Sequence, residues 1–180
     1  NNLFIFCAEI PMSASVKLQM AIDQIVAARQ YTNSLLEDID QKNWFQQPVE
    51  GINHIAWQIG HLAMAQYGLV LFRQRGRKLE DTELMSSSFR KKFSRGSTPN
   101  QDPEFYPSIQ EIKNVYERVY SQSMEELRTY PLEQLNEPVD NPYAAYPTKL
   151  GCLIFCAHHE MLHAGQIGML RRLLGLTPIR

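Results

Sequence analysis

The chain has 180 residues, of which 44% are hydrophobic and 21% charged, and its formal net charge is −1. Length and composition fit one globular domain with a buried core. The near-neutral balance excludes the basic field that nucleic-acid and acidic-lipid binders rely on, and no apolar run reaches the ~18 residues that would span a bilayer, so neither kind of partner is expected.

Residues 1–11 stand apart as an N-terminal extension, with a bundle domain expected over residues 12–180. The run "LFIFCA" is too short to cross a membrane, and no basic region precedes it as in a signal peptide. For residues 1–11 a strand, an arm onto a partner, and a stretch foreign to the natural chain are all open. After Pro11, Ser13 or Ser15 is placed to cap a first helix. Val16, Met20, Ile22, Ile25, Val26, Leu35, Leu36 and Ile39 give that helix an apolar face. Pro48 and Gly51 break it. A second helix is expected over about residues 52–75, closed near Gly76. It is apolar nearly all round, which predicts a central position.

A long connection follows, about residues 77–107, with Gly96, Pro99, Pro103 and Pro107. Connections of this length often help to build a site. The basic runs at 73–78 and 90–96 read as a cationic helix end and a solvated loop. A third helix is expected from Ser108, with Glu111 at the capping-box position, to about Thr129. A Pro-rich stretch leads to a fourth helix, about Thr148 to Leu174, stopped at Gly175. No period-2 pattern interrupts these segments. The fold class is therefore all-α, a four-helix bundle with long connections. The connections leave the helix directions open.

The three cysteines, Cys7, Cys152 and Cys156, form no disulfide framework. Cys152 and Cys156 lie four apart on one helix, directed unfavourably for a bridge. A reduced, cytoplasmic protein is the simplest expectation.

The chemistry gathers around histidines. "HHEMLHAGQ" contains H-E-x-x-H, the pattern of helical zinc proteases. His159 and His163, four apart, project from one helix face and can grip one ion. A protease site would take its third ligand from downstream, but no Asp, Glu, His or Cys follows His163. The third ligand must come from upstream. In a bundle, facing helices supply such ligands, and the second helix offers His54 and His61. These are seven apart, about 10 Å along the axis, so one ion takes only one. His61 lies deeper in the apolar helix and is the better candidate, with His54 read as capping or exposed. His158, about 100° round the helix from His159, is peripheral. Cys156, a turn before His159, is either a small core residue or a fourth ligand.

"GINHIAWQIGHLAMAQ" (51–66) and "HHEMLHAGQIGMLRRLLG" (158–175) together resemble the DinB-like, or YfiT-like, superfamily. The likeness covers the layout of residues 12–180. It implies a bundle with up-down-down-up order, often a homodimer, and a divalent metal, zinc or nickel, on His61, His159 and His163. It also implies a metal-dependent hydrolase, or a transferase using a low-molecular-weight thiol, acting on a small-molecule substrate. Glu160, next to the ligand pair but off the histidine stripe, is a candidate catalytic base or a partner to a ligand, and equally a surface or structural residue. Gln166, a turn past His163, is a candidate for orienting a bound ligand. The alternatives are a non-catalytic metal or small-molecule binding protein, and a dimeric scaffold with a structural metal.

Overall fold

Ser13 opens the first helix. Its Oγ accepts from the Val16 amide at 3.3 Å, which satisfies one of the amides a helix start leaves unpaired. A computed structural model describes residues 12–140 and 144–179, and the expectations placed on residues 1–11, Cys7 included, lie outside the described residues. The first helix, α1, spans Ala14–Leu36. Its buried face is Leu18, Ala21, Ile25, Ala28, Thr32 and Leu35. Val16 and Met20, expected on that face, are instead exposed. The buried positions follow three- and four-residue steps from Leu18, and Val16 and Met20 fall off that stripe.

The second helix, α2, begins as Ile55–Gln66. It continues through a π-helical stretch, Tyr67–Phe72, into a last turn, Arg73–Arg75. Gly76 ends it at φ 79°, a left-handed conformation suited to glycine. Ile55, Ala56, Ile59, Leu62, Ala63, Tyr67, Val70 and Leu71 are all buried, so α2 holds the expected central position. The third helix, α3, spans Ile109–Arg128 and is capped by Ser108, whose Oγ accepts from the Glu111 amide at 3.1 Å. The fourth, α4, spans Lys149–Leu173 and is capped by Thr148. No strand occurs among the described residues, and an isolated antiparallel bridge joins Pro138 and Thr148. The fold is all-α.

Side-chain pairings set the relative directions. Arg29 meets Glu160, and Arg171 meets Leu35 O, so α1 and α4 run the same way. Gln58 reaches Gln166 and Gln74 reaches Lys149 O, so α2 runs opposite to α4. Arg75 near the end of α2 pairs with Glu126 near the end of α3, while Ile59 lies by Gln110 and Lys113. Hence α2 and α3 run together. Arg171 is almost fully buried and bonds Leu35 O, Asp38 and Thr177 O, which ties the end of α4 to the end of α1.

The connection over 77–107 is more ordered than its polar composition predicts. It contains short helices at Asp81–Leu84 and Ser87–Lys92 and a 3-10 turn at Pro103–Phe105. Met85, Phe89 and Phe93 are buried in the core beside α2. The reading of 90–96 as a solvated loop is corrected at Phe93, which is 0% exposed. Burial of these side chains outweighs the local polarity.

Candidate metal centre

His61 on α2 meets His159 and His163 on α4. Their ring centroids lie 5.3, 5.0 and 4.6 Å apart for the pairs 61–159, 61–163 and 159–163. One ligand atom from each lies within 4.8 Å of the others. Nitrogens sharing a tetrahedral ion stand about 3.4 Å apart, a distance that small side-chain rotations reach. Antiparallel α2 and α4 make the meeting possible, and the four-residue step aligns two of the three rings.

Two of the imidazoles are oriented from behind. His61 donates Nδ1–H to Phe93 O at 2.8 Å, and its ring stacks on Trp57 with centroids 4.6 Å apart and planes 8° from parallel. His163 Nδ1 pairs with Gln58 Oε1. Gln58 Nε2 in turn donates to Gln166 Oε1 at 2.8 Å. Each of these bonds occupies Nδ1 and leaves Nε2 as the ligand atom. Gly60 makes room for this arrangement: a Cβ there would lie 2.4 Å from the Phe93 ring.

Burial lowers the pKa of all three histidines. His159 falls to about 4, through burial and then repulsion from His61. His163 falls to about 3, through burial and then repulsion from His159 and His61. His61 falls through burial, partly opposed by its bond to Phe93 O. The trio is therefore neutral near pH 7, the state in which imidazole ligates a metal.

Glu160 stands elsewhere. Its Oε1 accepts from Arg29 Nε at 2.9 Å and from the Tyr116 hydroxyl at 2.7 Å, in a buried network with α1 and α3. Arg29 also lies 3.5 Å over the Tyr116 ring and donates to Gln66 Oε1 at 2.6 Å. A carboxylate so engaged has an ion-pair partner to hold, in keeping with the structural role that its place off the histidine stripe suggests as readily as a base's. Removing it would strand a buried guanidinium. Gln166 is exposed and acts on His163 through Gln58. Cys156 lies outside the histidine group, and burial pushes its thiol pKa up, so it remains a core S–H. Cys152 and Cys156 are free thiols.

His54 caps α2. Its Nδ1 accepts from the Trp57 amide at 3.0 Å and its Nε2–H donates to Asn100 O at 3.0 Å. It is fully buried, so the capping reading holds and the exposed one does not. His158 is exposed on the other side of α4, beside Ala27 and Tyr31 of α1.

The histidines open onto a cavity of about 500 Å³, with His61 and His159 in its wall. The long connection contributes Ser94 and Arg95, and the end of α2 contributes Arg73. Sequence reading missed Gln58, Phe93 and Arg73. The three-residue step from Gln58 to His61 was the one available signal, since it puts both on one face of α2.

No curated protein matches the chain. Among solved structures, a conserved protein from Enterococcus faecalis is similar in fold, with a TM-score of 0.64 at 17% identity, over 92% of this chain and 99% of that one. The family model described as the DinB superfamily matches residues 24–167, a span that includes α2, α3, the Arg29 network and all three histidines. With that match over most of its length, the chain belongs to the DinB superfamily.

Proposed function

We propose that the protein is a metal-dependent enzyme that holds a divalent ion, zinc or nickel, on His61, His159 and His163 and activates a water or a low-molecular-weight thiol against a small-molecule substrate. The observation that carries this reading is three neutral imidazoles with ligand atoms within 4.8 Å, two of which line a cavity. The donor set fits the ion: three nitrogen ligands leave a coordination position open, as in catalytic rather than structural zinc sites. Such an ion supplies Lewis acidity that lowers the pKa of a bound water or thiol. The chain's own residues then orient the ligands. Phe93 O holds His61, Gln58 holds His163, and Gln166 holds Gln58. The free thiols at Cys152 and Cys156 are in keeping with a reducing, cytoplasmic setting.

Metal analysis of the purified protein is expected to find about one divalent ion per chain. His61→Ala, His159→Ala and His163→Ala should each lose it, and His158→Ala should keep it. Full occupancy in all three variants would sink the site. Given a metal, hydrolytic substrates and pairs of thiol and electrophile separate hydrolase from transferase. Turnover of neither class, with metal bound, leaves a binding protein.

We infer also that the protein works as a homodimer through the outer face of α4. Leu162, Met169 and Leu173 are 62%, 54% and 43% exposed along one stripe of that helix. Gly165 lies among them with open space about it, so a second helix can approach closely.

A further inference from the structure

The cavity beside the histidines is walled by one face of α2 and one face of α4. Met64, Ala65, Gly68 and Leu69 follow His61 at the spacing of a single helix face, and Phe155 precedes His159 by one turn. The wall next to the metal ligands is therefore apolar. At Ala65 and Gly68 it is also small. A Cβ on Gly68 would meet Arg73 Nη1 at 3.9 Å and nothing nearer outside its own helix turn. The cavity holds about 500 Å³, which is in the range of small-molecule sites.

The backbone of α2 keeps this room open. In a regular α-helix at about 100° per residue, the eleventh residue after His61 would return to about 20° from it, and the twelfth would stand at about 120°. Phe72 would then face the cavity and Arg73 would turn away. The π-helical stretch Tyr67–Phe72 intervenes, and the Arg73 amide bonds Gly68 O, five residues back. One extra residue in the turn sets the later positions back by about 100°. Arg73 is thereby placed in the wall on the His61 face, and Phe72 is turned off it and left 48% exposed. A phenylalanine half in water, beside an apolar cavity its ring would otherwise enter, forgoes burial that would stabilise the fold. The space is left for something other than the chain to fill.

We propose that Ala65 and Gly68 are the residues that set substrate specificity, as the floor of a pocket for an apolar, ring-sized group. Met64, Leu69 and Phe155 surround that group, and the reacting end of the substrate points to His61 and His159. A thioether and an aromatic ring are both good neighbours for a bound ring. Gly68 stands about 10 Å along the axis from His61, roughly the reach of a phenyl ring on a three-carbon arm. The substrate class this gives to the reaction rests on the metal reading above; the seating of the ring does not.

The test uses the full chain, stripped of metal and separately loaded with zinc, with hydrocinnamyl alcohol, n-propanol and glycerol as calorimetric probes. All three are neutral three-carbon alcohols, and only the first carries a phenyl ring. In the stripped protein it is expected to bind once per chain, about tenfold or more tightly than the other two. Gly68→Leu and Ala65→Leu each fill the pocket with a branched side chain. Each is expected to erase the preference, to unfold in a single cooperative thermal transition, and to take up zinc as the unaltered chain does. Equal binding of the three probes by the unaltered chain overturns the proposal without need of any variant. A full preference that survives either substitution in a folded chain overturns it too. A preference that depends on Gly68 and Ala65 in a chain that takes up no zinc supports the pocket and removes the metal reading. Zinc uptake without any preference does the reverse.

Discussion

Gly60 has no side chain because the Phe93 ring occupies the place of one. Phe93 is fully buried and cannot swing into solvent, so Gly60→Ala must move it, and its carbonyl with it. That carbonyl holds His61. Gly60→Ala is expected to weaken metal binding by about 10–100-fold, the usual cost of losing the group that orients a ligand. Competition with a chelator measures this, and Gly168→Ala, which meets nothing within 4 Å, is the control. Wild-type affinity in Gly60→Ala would show the carbonyl to be dispensable. His54 leads to a second expectation. Burial lowers its pKa from 6.5 to about 4, so the unfolded chain binds this proton more readily than the folded one. Its contribution is present above pH 6.5 and is lost as pH falls through the window down to about 4. His159 and His163, neutral for the same reason, add in the same direction. The urea midpoint of the metal-stripped protein should fall between pH 7.5 and pH 5, and a flat profile would contradict it.

Helix ends were legible in the sequence because their signals are local. Ser13, Ser108 and Thr148 cap the helices they were expected to cap or begin, and Gly76 and Gly175 close theirs with positive φ. The histidine trio was legible for a related reason, since a 3.6-residue period fixes which positions share a face. Other features depend on contacts far along the chain. Phe93 looks like one ring in a basic run until it is packed against Gly60. Glu160 looks like part of a motif until Arg29, 131 residues away, claims it. The π-helical stretch has no local mark either, because "YGLVLF" suits a regular helix as well. Val16 and Met20 were wrongly put on the buried face of α1 because hydrophobicity was followed there rather than the helical period, which Ile25 and Leu35 keep.

At the scale of the molecule, the buried Arg29–Glu160 pair and the Arg171 clamp lock α1 to α4, so the histidine helix is braced on one side. Its other side carries the apolar stripe. Leu162→Asp combined with Met169→Asp is expected to convert a dimer to a monomer in sedimentation, with zinc content retained because neither residue is one of the three ligand histidines. A wild-type monomer at micromolar concentration would refute the homodimer. Gln166 lies on the edge of this same stripe and reaches His163 through Gln58, so the two faces of α4 meet at one hydrogen-bonded chain.

The π-helical stretch bears on how relatives of this chain are to be aligned. One residue more in a turn is what an insertion leaves behind when the flanking residues keep their places. A relative with a regular second helix therefore carries its cavity-wall residue eleven positions after the histidine rather than twelve. Aligned without a gap in residues 67–72, that residue falls opposite Phe72 rather than Arg73. Deleting one residue from the stretch should straighten the helix and leave Arg73 where it is.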